Sequence, residues 1–213
     1  MEELLPIVES FHSLQGEGAH AGSSAFFIRL ARCKVGCSWC DTKESWIENV
    51  HPKESIQTIA INTAKAQNAG ASFVVLTGGE PLHHNLNSLC ESIREITFAK
   101  SQKVLPIHLE TSGVDELSGS PDWITLSPKR HFPPRADLLK ACHELKVVIH
   151  THEDLLFAES MATKANKDSS QKKLFFLQAV WNDHNAQKIA LAYVKQNPKW
   201  RLSMQTHKWL NVR

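Results

Sequence analysis

The chain has 213 residues, 42% of them hydrophobic and 22% charged, which suits one well-filled globular core. Its 24 Lys and Arg against 22 Asp and Glu leave a formal net charge of +2, so composition makes no electrostatic case for a nucleic-acid partner. No apolar run approaches the ~20 residues of a bilayer span, and the acidic start MEELLPIVES lacks the features of a signal peptide; the expectation is a cytoplasmic protein without a membrane partner.

In chain order, short apolar runs alternate with longer amphipathic segments. The first expected strand is 26–30 (FFIRL), followed by a loop carrying Cys33, Cys37 and Cys40. A helix over 55–68 leads to a strand at 73–76, and a helix over 86–98 leads to a strand at 107–110. Strands follow at 123–126, 145–149, 175–180 and 201–205, with helices over 136–143, 153–163 and 185–195. This alternation predicts a mainly parallel sheet covered by helices. Seven strands fall one short of a closed eight-stranded barrel, so the expected fold is α/β, a partial (β/α) TIM-like barrel in a single domain spanning 1–213. The polar stretch 164–173 (KANKDSSQKK) reads as a mobile loop, and no repeat or domain boundary is visible.

The chemically unusual residues fall where these strands end. The cysteine loop follows the first strand and Thr77-Gly-Gly-Glu-Pro81 the second; Glu110-Thr-Ser-Gly113, Ser127-Pro-Lys129, Gln178 and Gln205-Thr-His-Lys208 close later ones. Barrel active sites assemble at carboxyl strand ends, so these loops predict one site.

Five cysteines, three of them within eight residues, argue against a disulfide framework. Cys90 and Cys142 fall on expected helices and read as small buried hydrophobes. The C-x3-C-x2-C loop admits two readings. Three thiolates and one of the 12 histidines can hold a structural zinc. Alternatively, three thiolates can wrap a 4Fe–4S cluster and leave one iron open. Gly78-Gly79 would allow a backbone to approach a ligand closely, and Glu80 could accept from an ammonium group.

Together, the cysteine spacing, Trp39 before the last cysteine and Thr77-Gly-Gly-Glu-Pro81 resemble the radical S-adenosylmethionine superfamily. That resemblance implies S-adenosylmethionine bound at the open iron and cleaved by one electron to a 5′-deoxyadenosyl radical. Ser13-Leu-Gln-Gly-Glu-Gly18, Asp41-Thr42 and Arg201-Leu-Ser-Met-Gln-Thr-His-Lys208 narrow it: nearly end to end, the chain closely resembles the 7-carboxy-7-deazaguanine synthase family. The implied activity is a carbon–nitrogen lyase reaction of queuosine biosynthesis. It converts 6-carboxy-5,6,7,8-tetrahydropterin to 7-carboxy-7-deazaguanine and ammonia, with S-adenosylmethionine regenerated and magnesium assisting.

Carried onto this chain, the resemblance gives Cys33, Cys37 and Cys40 to the cluster and Thr42 to magnesium. Trp39, Asp41, Gly79, Glu80, Ser127, Pro128, Lys129, Gln178, Ala179, Val180 and Trp181 would meet S-adenosylmethionine. Leu14, Gln15, Gly16, Arg29 and Thr77 would meet the substrate, the first three as part of a short N-terminal binding segment. Arg29, a cation in an apolar strand, suits the substrate carboxylate. Glu17, Glu110, Ser112 and His207 are further candidates. The chain departs from the family at Gln178-Ala179, where Gln-Pro is usual. The resemblance also implies a homodimer and an external electron donor such as flavodoxin or ferredoxin. The competing readings are a superfamily activase acting on a partner protein and a zinc-stabilised binding module.

Overall fold

Which way each strand's side chains point is decided by a period of two, and here it divides the chain between two environments. In the computed structural model, which describes residues 3–167 and 172–213, all nine strands belong to one sheet ordered β3-β1-β2-β4-β5-β6-β7-β8-β9. The strands are β1 (Leu4–Leu14), β2 (Ser24–Leu30), β3 (Lys53–Ser55), β4 (Phe73–Gly78), β5 (Ile107–Thr111), β6 (Trp123–Leu126), β7 (Glu144–Ile149), β8 (Leu174–Ala179) and β9 (Trp200–Ser203). From β2 through β9 every pairing is parallel, and β1 pairs antiparallel with both β2 and β3. The sheet is an open, partial barrel, as the strand count predicted.

Outward residues such as Ile28, Leu30, Val74, Leu76, Leu109, Leu126, Leu145 and Leu177 are buried in one continuous core. That core is shared with α1 (Ile56–Asn68), α2 (Asn87–Ser101), α3 (Ala136–Ala141), α4 (His152–Asn166) and α5 (His184–Gln196). A short α6 (Thr206–Leu210) follows β9. Inward, Ala25, Phe27, Phe73 and Val75 form a smaller cluster with Phe11 packed against it. Above that cluster the inner face turns polar, and Arg29 stands in register with Thr77.

Two strands and one helix were not expected. The period of β1 is broken by a register shift between Ile7 and Glu9, so Leu5 and Ile7 join the outer core while Glu9 and Phe11 line the cleft. β3 has only three residues and α6 only five, too few for a periodic signal. The expected loop over 164–173 begins later than predicted, since α4 continues to Asn166 from a Thr151–Asp154 capping box. Residues 168–171 of that stretch lie outside the described residues.

Candidate active site

A cleft of about 710 Å³ opens at the carboxyl ends of the parallel strands. Every residue expected at the site lines it except Pro128, which is buried between Ser127 and Lys129. Its two neighbours, Ser127 and Lys129, face the cleft.

The cysteine loop leaves β2 through Arg32, a non-glycine residue held at φ 83°. Such left-handed backbone costs energy and persists where surrounding contacts over-determine it. Those contacts are present. The Arg32 amide donates to Ser45 O at 2.7 Å, and the Glu80 amide donates to Arg32 O at 2.9 Å. Gly79 packs directly beneath, where an added Cβ would lie 2.3 Å from Arg32 O and 3.0 Å from the Cys33 Cβ. The close approach that this glycine permits is thus to the backbone of the cysteine loop itself.

Cys33, Cys37 and Cys40 are all free thiols on one wall of the cleft. Burial pushes the Cys33 and Cys37 thiols up from their ordinary value. Among the described residues, no group of three or more His, Cys, Asp or Glu side chains converges closely enough to hold a single metal ion. A soft three-thiol set on one cleft suits an iron–sulfur cluster that takes three of its ligands from one loop. Thr42 follows directly, with its Oγ1 3.7 Å from the Cys40 Sγ.

Glu80 differs from expectation. It is 1% exposed, and Leu82 N at 3.1 Å and Thr111 Oγ1 at 2.5 Å donate to its Oε1. Its Oε2 accepts from Ser112 N at 2.7 Å and from Ser112 Oγ. A carboxylate offers about four acceptor positions, and protein donors fill them. Glu80 therefore pins the turn after β4 to the end of β5 and presents no free oxygen to an ammonium group.

Elsewhere in the lining, the Glu110 carboxylate of β5 joins β4 to the segment just after β1. Gln15 Nε2 donates to Glu110 Oε1 at 2.9 Å, and Thr77 Oγ1 donates to Glu110 Oε2 at 3.0 Å. Arg29 Nε donates to Glu9 Oε1 at 2.9 Å, while Arg213 Nη1 lies 3.2 Å from Glu9 Oε2. Glu17 pairs with Lys146 of β7, and Gln205 Nε2 donates to its Oε1 at 2.8 Å. Burial would raise the Glu17 carboxyl, but Lys146 beside it holds it down to about 2. Burial would likewise lower Lys146, and the surrounding carboxylates, Glu17 first, raise it instead. The two are fully ionised partners on the cleft floor.

The C-terminal segment completes this part of the lining. Thr206 N donates to Gly16 O at 3.0 Å, and an added Cβ on Gly16 would fall 2.0 Å from His207 Nδ1. Burial keeps His207 below its ordinary value, so it is neutral at pH 7. Lys208 Nζ donates to Asp41 Oδ2 at 2.6 Å and lies 5.1 Å from the Trp181 ring centroid. Along the β8 rim, Gln178 Oε1 accepts from Ser203 Oγ at 2.7 Å, and Ala179, Val180 and Trp181 extend the lining. Lys129 Nζ donates to Ser127 Oγ at 2.7 Å, and burial lowers its pKa.

Among the residues missed in the sequence are Glu9, Phe11, Lys146 and Arg213, while Gln205 and Lys208 lie in a strand-end segment that was expected at the site without a role for either. For Lys146 a signal was present: it is a long cation inside the apolar strand LKVVI, the same feature that marked Arg29.

Residues 27–156 match the Radical SAM superfamily. The whole chain is 54% identical to a 7-carboxy-7-deazaguanine synthase from Prochlorococcus marinus, with 100% of both sequences covered. It is 46% identical to one from Synechocystis, over 98% of this chain and 93% of that protein. It is 31% identical to one from Escherichia coli, over 97% and 98%. Among solved structures, the crystal structure of QueE from Escherichia coli superposes with a TM-score of 0.78 at 28% identity, covering 94% of this chain and 93% of that one.

Proposed function

Because the chain belongs to the 7-carboxy-7-deazaguanine synthase family of the radical SAM superfamily, we propose that it converts 6-carboxy-5,6,7,8-tetrahydropterin to 7-carboxy-7-deazaguanine with loss of ammonia. The observation that carries this reading is that three free thiols share one cleft of about 710 Å³ with a set of paired cations and carboxylates suited to a small carboxypterin.

Cys33, Cys37 and Cys40 would hold a 4Fe–4S cluster, which with S-adenosylmethionine would supply one-electron radical chemistry at the pterin. The chain's own residues hold the reactants and exclude water. Arg29 keeps both terminal nitrogens available beyond its Glu9 bond and takes the substrate carboxylate. Gln15, Thr77 and Glu110 form a connected set of donors and acceptors for the polar edge of the pterin. His207, held against Gly16, closes that edge. Phe11, Phe27 and Val148 supply the apolar lining that keeps water from the reacting carbon. Ser127, Lys129 and the Gln178–Trp181 rim line the same cleft as the cysteines and would receive S-adenosylmethionine. The Thr42 hydroxyl, beside Cys40, would offer one hard oxygen to magnesium. Electron delivery by a flavodoxin or ferredoxin, a homodimeric assembly and a cytoplasmic location belong to the same reading. Among the described residues, no helix is long and apolar enough to cross a membrane.

The test is anaerobic reconstitution with iron and sulfide, followed by turnover of the carboxypterin with S-adenosylmethionine, magnesium and a chemical reductant. The expected result is 7-carboxy-7-deazaguanine in excess over S-adenosylmethionine consumed. Cleavage of S-adenosylmethionine without that product would point to an activase, and zinc without iron or sulfide would remove the radical reading.

A further inference from the structure

The C-terminal segment frames the N-terminal substrate segment through several bonds. Thr206 donates to Gly16 O through both its amide and its Oγ1, each at 3.0 Å, and the Gly18 amide donates to Ser203 Oγ at 3.0 Å. Gln205 Nε2 donates to Glu17 Oε1 at 2.8 Å, while Gln205 Oε1 accepts from Lys208 Nζ at 3.1 Å. Both ends of that carboxamide are used, so its orientation is fixed.

The cysteine loop is held by other partners. Cys33 N donates to Trp46 O at 3.3 Å, Lys34 N donates to His83 Nε2 at 3.1 Å, and His131 Nε2 donates to Val35 O at 2.9 Å. Among the described residues, the hydrogen bonds between Cys33–Thr42 and the two terminal segments all end on one atom. That atom is Asp41 Oδ2, which accepts from Lys208 Nζ at 2.6 Å and from Gln205 Nε2 at 3.4 Å. Lys208 also lies 5.1 Å from the Trp181 ring centroid, and Trp209 meets the same ring edge-on at 5.9 Å. A partly exposed ion pair contributes little to stability, but here its place matters more than its strength. Asp41 separates Cys40 from Thr42, and Glu17 follows Gly16 in the substrate segment. One chain of alternating acceptors and donors, Glu17–Gln205–Lys208–Asp41, therefore runs from the substrate segment to the cysteine loop.

We propose that Lys208 is a positioning residue, setting the cysteine loop at a fixed distance from the substrate segment so that S-adenosylmethionine and the carboxypterin meet in register. This inference rests on the radical reading above and gives Lys208 no contact with either reactant. A misplacement of about 1 Å can cost on the order of 100-fold in rate. Loss of Lys208 leaves each half of the cleft its own bonds and removes the link between them.

The experiment compares reconstituted wild-type holoenzyme with Lys208→Met, Lys208→Arg, Asp41→Ala and the double variant Lys208→Met with Asp41→Ala. Iron and sulfide are counted per chain, and kcat and KM for the carboxypterin are measured. So is the ratio of S-adenosylmethionine consumed to 7-carboxy-7-deazaguanine formed. Consumption without product takes two electrons from the chemical reductant and one proton from solvent, giving methionine and 5′-deoxyadenosine. Amide hydrogen exchange over residues 37–46 reports on the loop independently of turnover. Lys208→Met is expected to keep its iron and sulfide and to leave KM nearly unchanged. Its kcat falls on the order of 10- to 100-fold, its ratio rises several-fold, and its loop exchanges faster. Lys208→Arg, which keeps a cation over Trp181 and a donor to Asp41, restores the ratio. The double variant shows the ratio of Asp41→Ala alone, because Lys208 acts through Asp41.

A lower kcat with an unchanged ratio would assign Lys208 to general stability and overturn the proposal. Unchanged loop exchange, loss of iron and sulfide, or equal impairment in the Met and Arg variants would overturn it too. Should Lys208→Met fail to fold, Lys208→Gln decides by the same ratio. Failure of the wild type itself to form product is a separate result, and it would sink the radical reading.

Discussion

Arg29 illustrates how much one side chain can be asked to do. Its Nε is bonded to Glu9, which also meets Arg213, so the two terminal nitrogens are what the proposed function gives to the substrate carboxylate. A planar guanidinium serves both partners at once, whereas an ammonium must choose between them. Arg29→Lys is expected to keep the fold and lower kcat/KM about 10- to 150-fold. That range corresponds to loss of one charge-assisted hydrogen bond worth about 1.5–3 kcal/mol. The effect should fall mainly on KM, which steady-state kinetics with the carboxypterin would show. Glu80 carries the complementary lesson. Its place in the motif suggested a ligand contact, yet four protein donors occupy its oxygens, and counting those donors required the end of β5.

At the scale of elements, the last strand and its covering helices are joined by one carboxylate. Glu159 on α4 accepts from Tyr193 Oη of α5 and from Trp200 Nε1 of β9, each at 2.7 Å, and it also pairs with Lys199. Trp200 is 2% exposed, so removing its acceptor leaves a buried donor unsatisfied. Glu159→Ala is expected to cost about 1–3 kcal/mol, read as a lower urea midpoint, with Glu159→Gln costing less. Both variants should loosen the β8–β9 rim that carries Gln178 and Gln205. The helices and parallel strands of this region were legible from their periodicity. β1 was not, because its register shift interrupts the alternation on which such a reading depends.

For the molecule as a whole, the barrel floor is a stack of rings beneath the polar cleft. His108 stacks on Phe73 at 4.0 Å between centroids, His20 lies 4.6 Å from both His108 and Trp123, and His143 stacks on Trp123 at 5.0 Å. Burial lowers all three histidines, and His108 is pushed down to about 3 from an ordinary 6.5. His20 and His143 add repulsion to His108, and Asp122 opposes it. A histidine depressed by folding stays neutral in the native state while the unfolded chain takes up a proton. Its contribution to stability is therefore complete above about pH 6.5 and is lost as the pH falls toward about 3. One such proton gives a slope of up to about 1.4 kcal/mol per pH unit. Urea unfolding from pH 7 to pH 4 should show a falling midpoint, with a shallower fall in His108→Phe, which preserves the stack on Phe73. Equal slopes in the two proteins would assign the acid sensitivity to other groups.

The sequence by itself determined the features that chemistry requires to be contiguous. One loop gathers three cysteines and one cation interrupts an apolar strand, and both were readable from adjacent residues; the glycine pair was read as room for a ligand, whereas it lets two backbones meet. Only the tertiary structure decided who partners whom across the barrel. Glu17 meets Lys146 from 129 positions away, Gln15 meets Glu110 from 95, and Glu80 meets Ser112 across two strand ends. Those pairings depend on the register between strands distant in sequence, which the packing of the whole sheet sets and no single segment encodes.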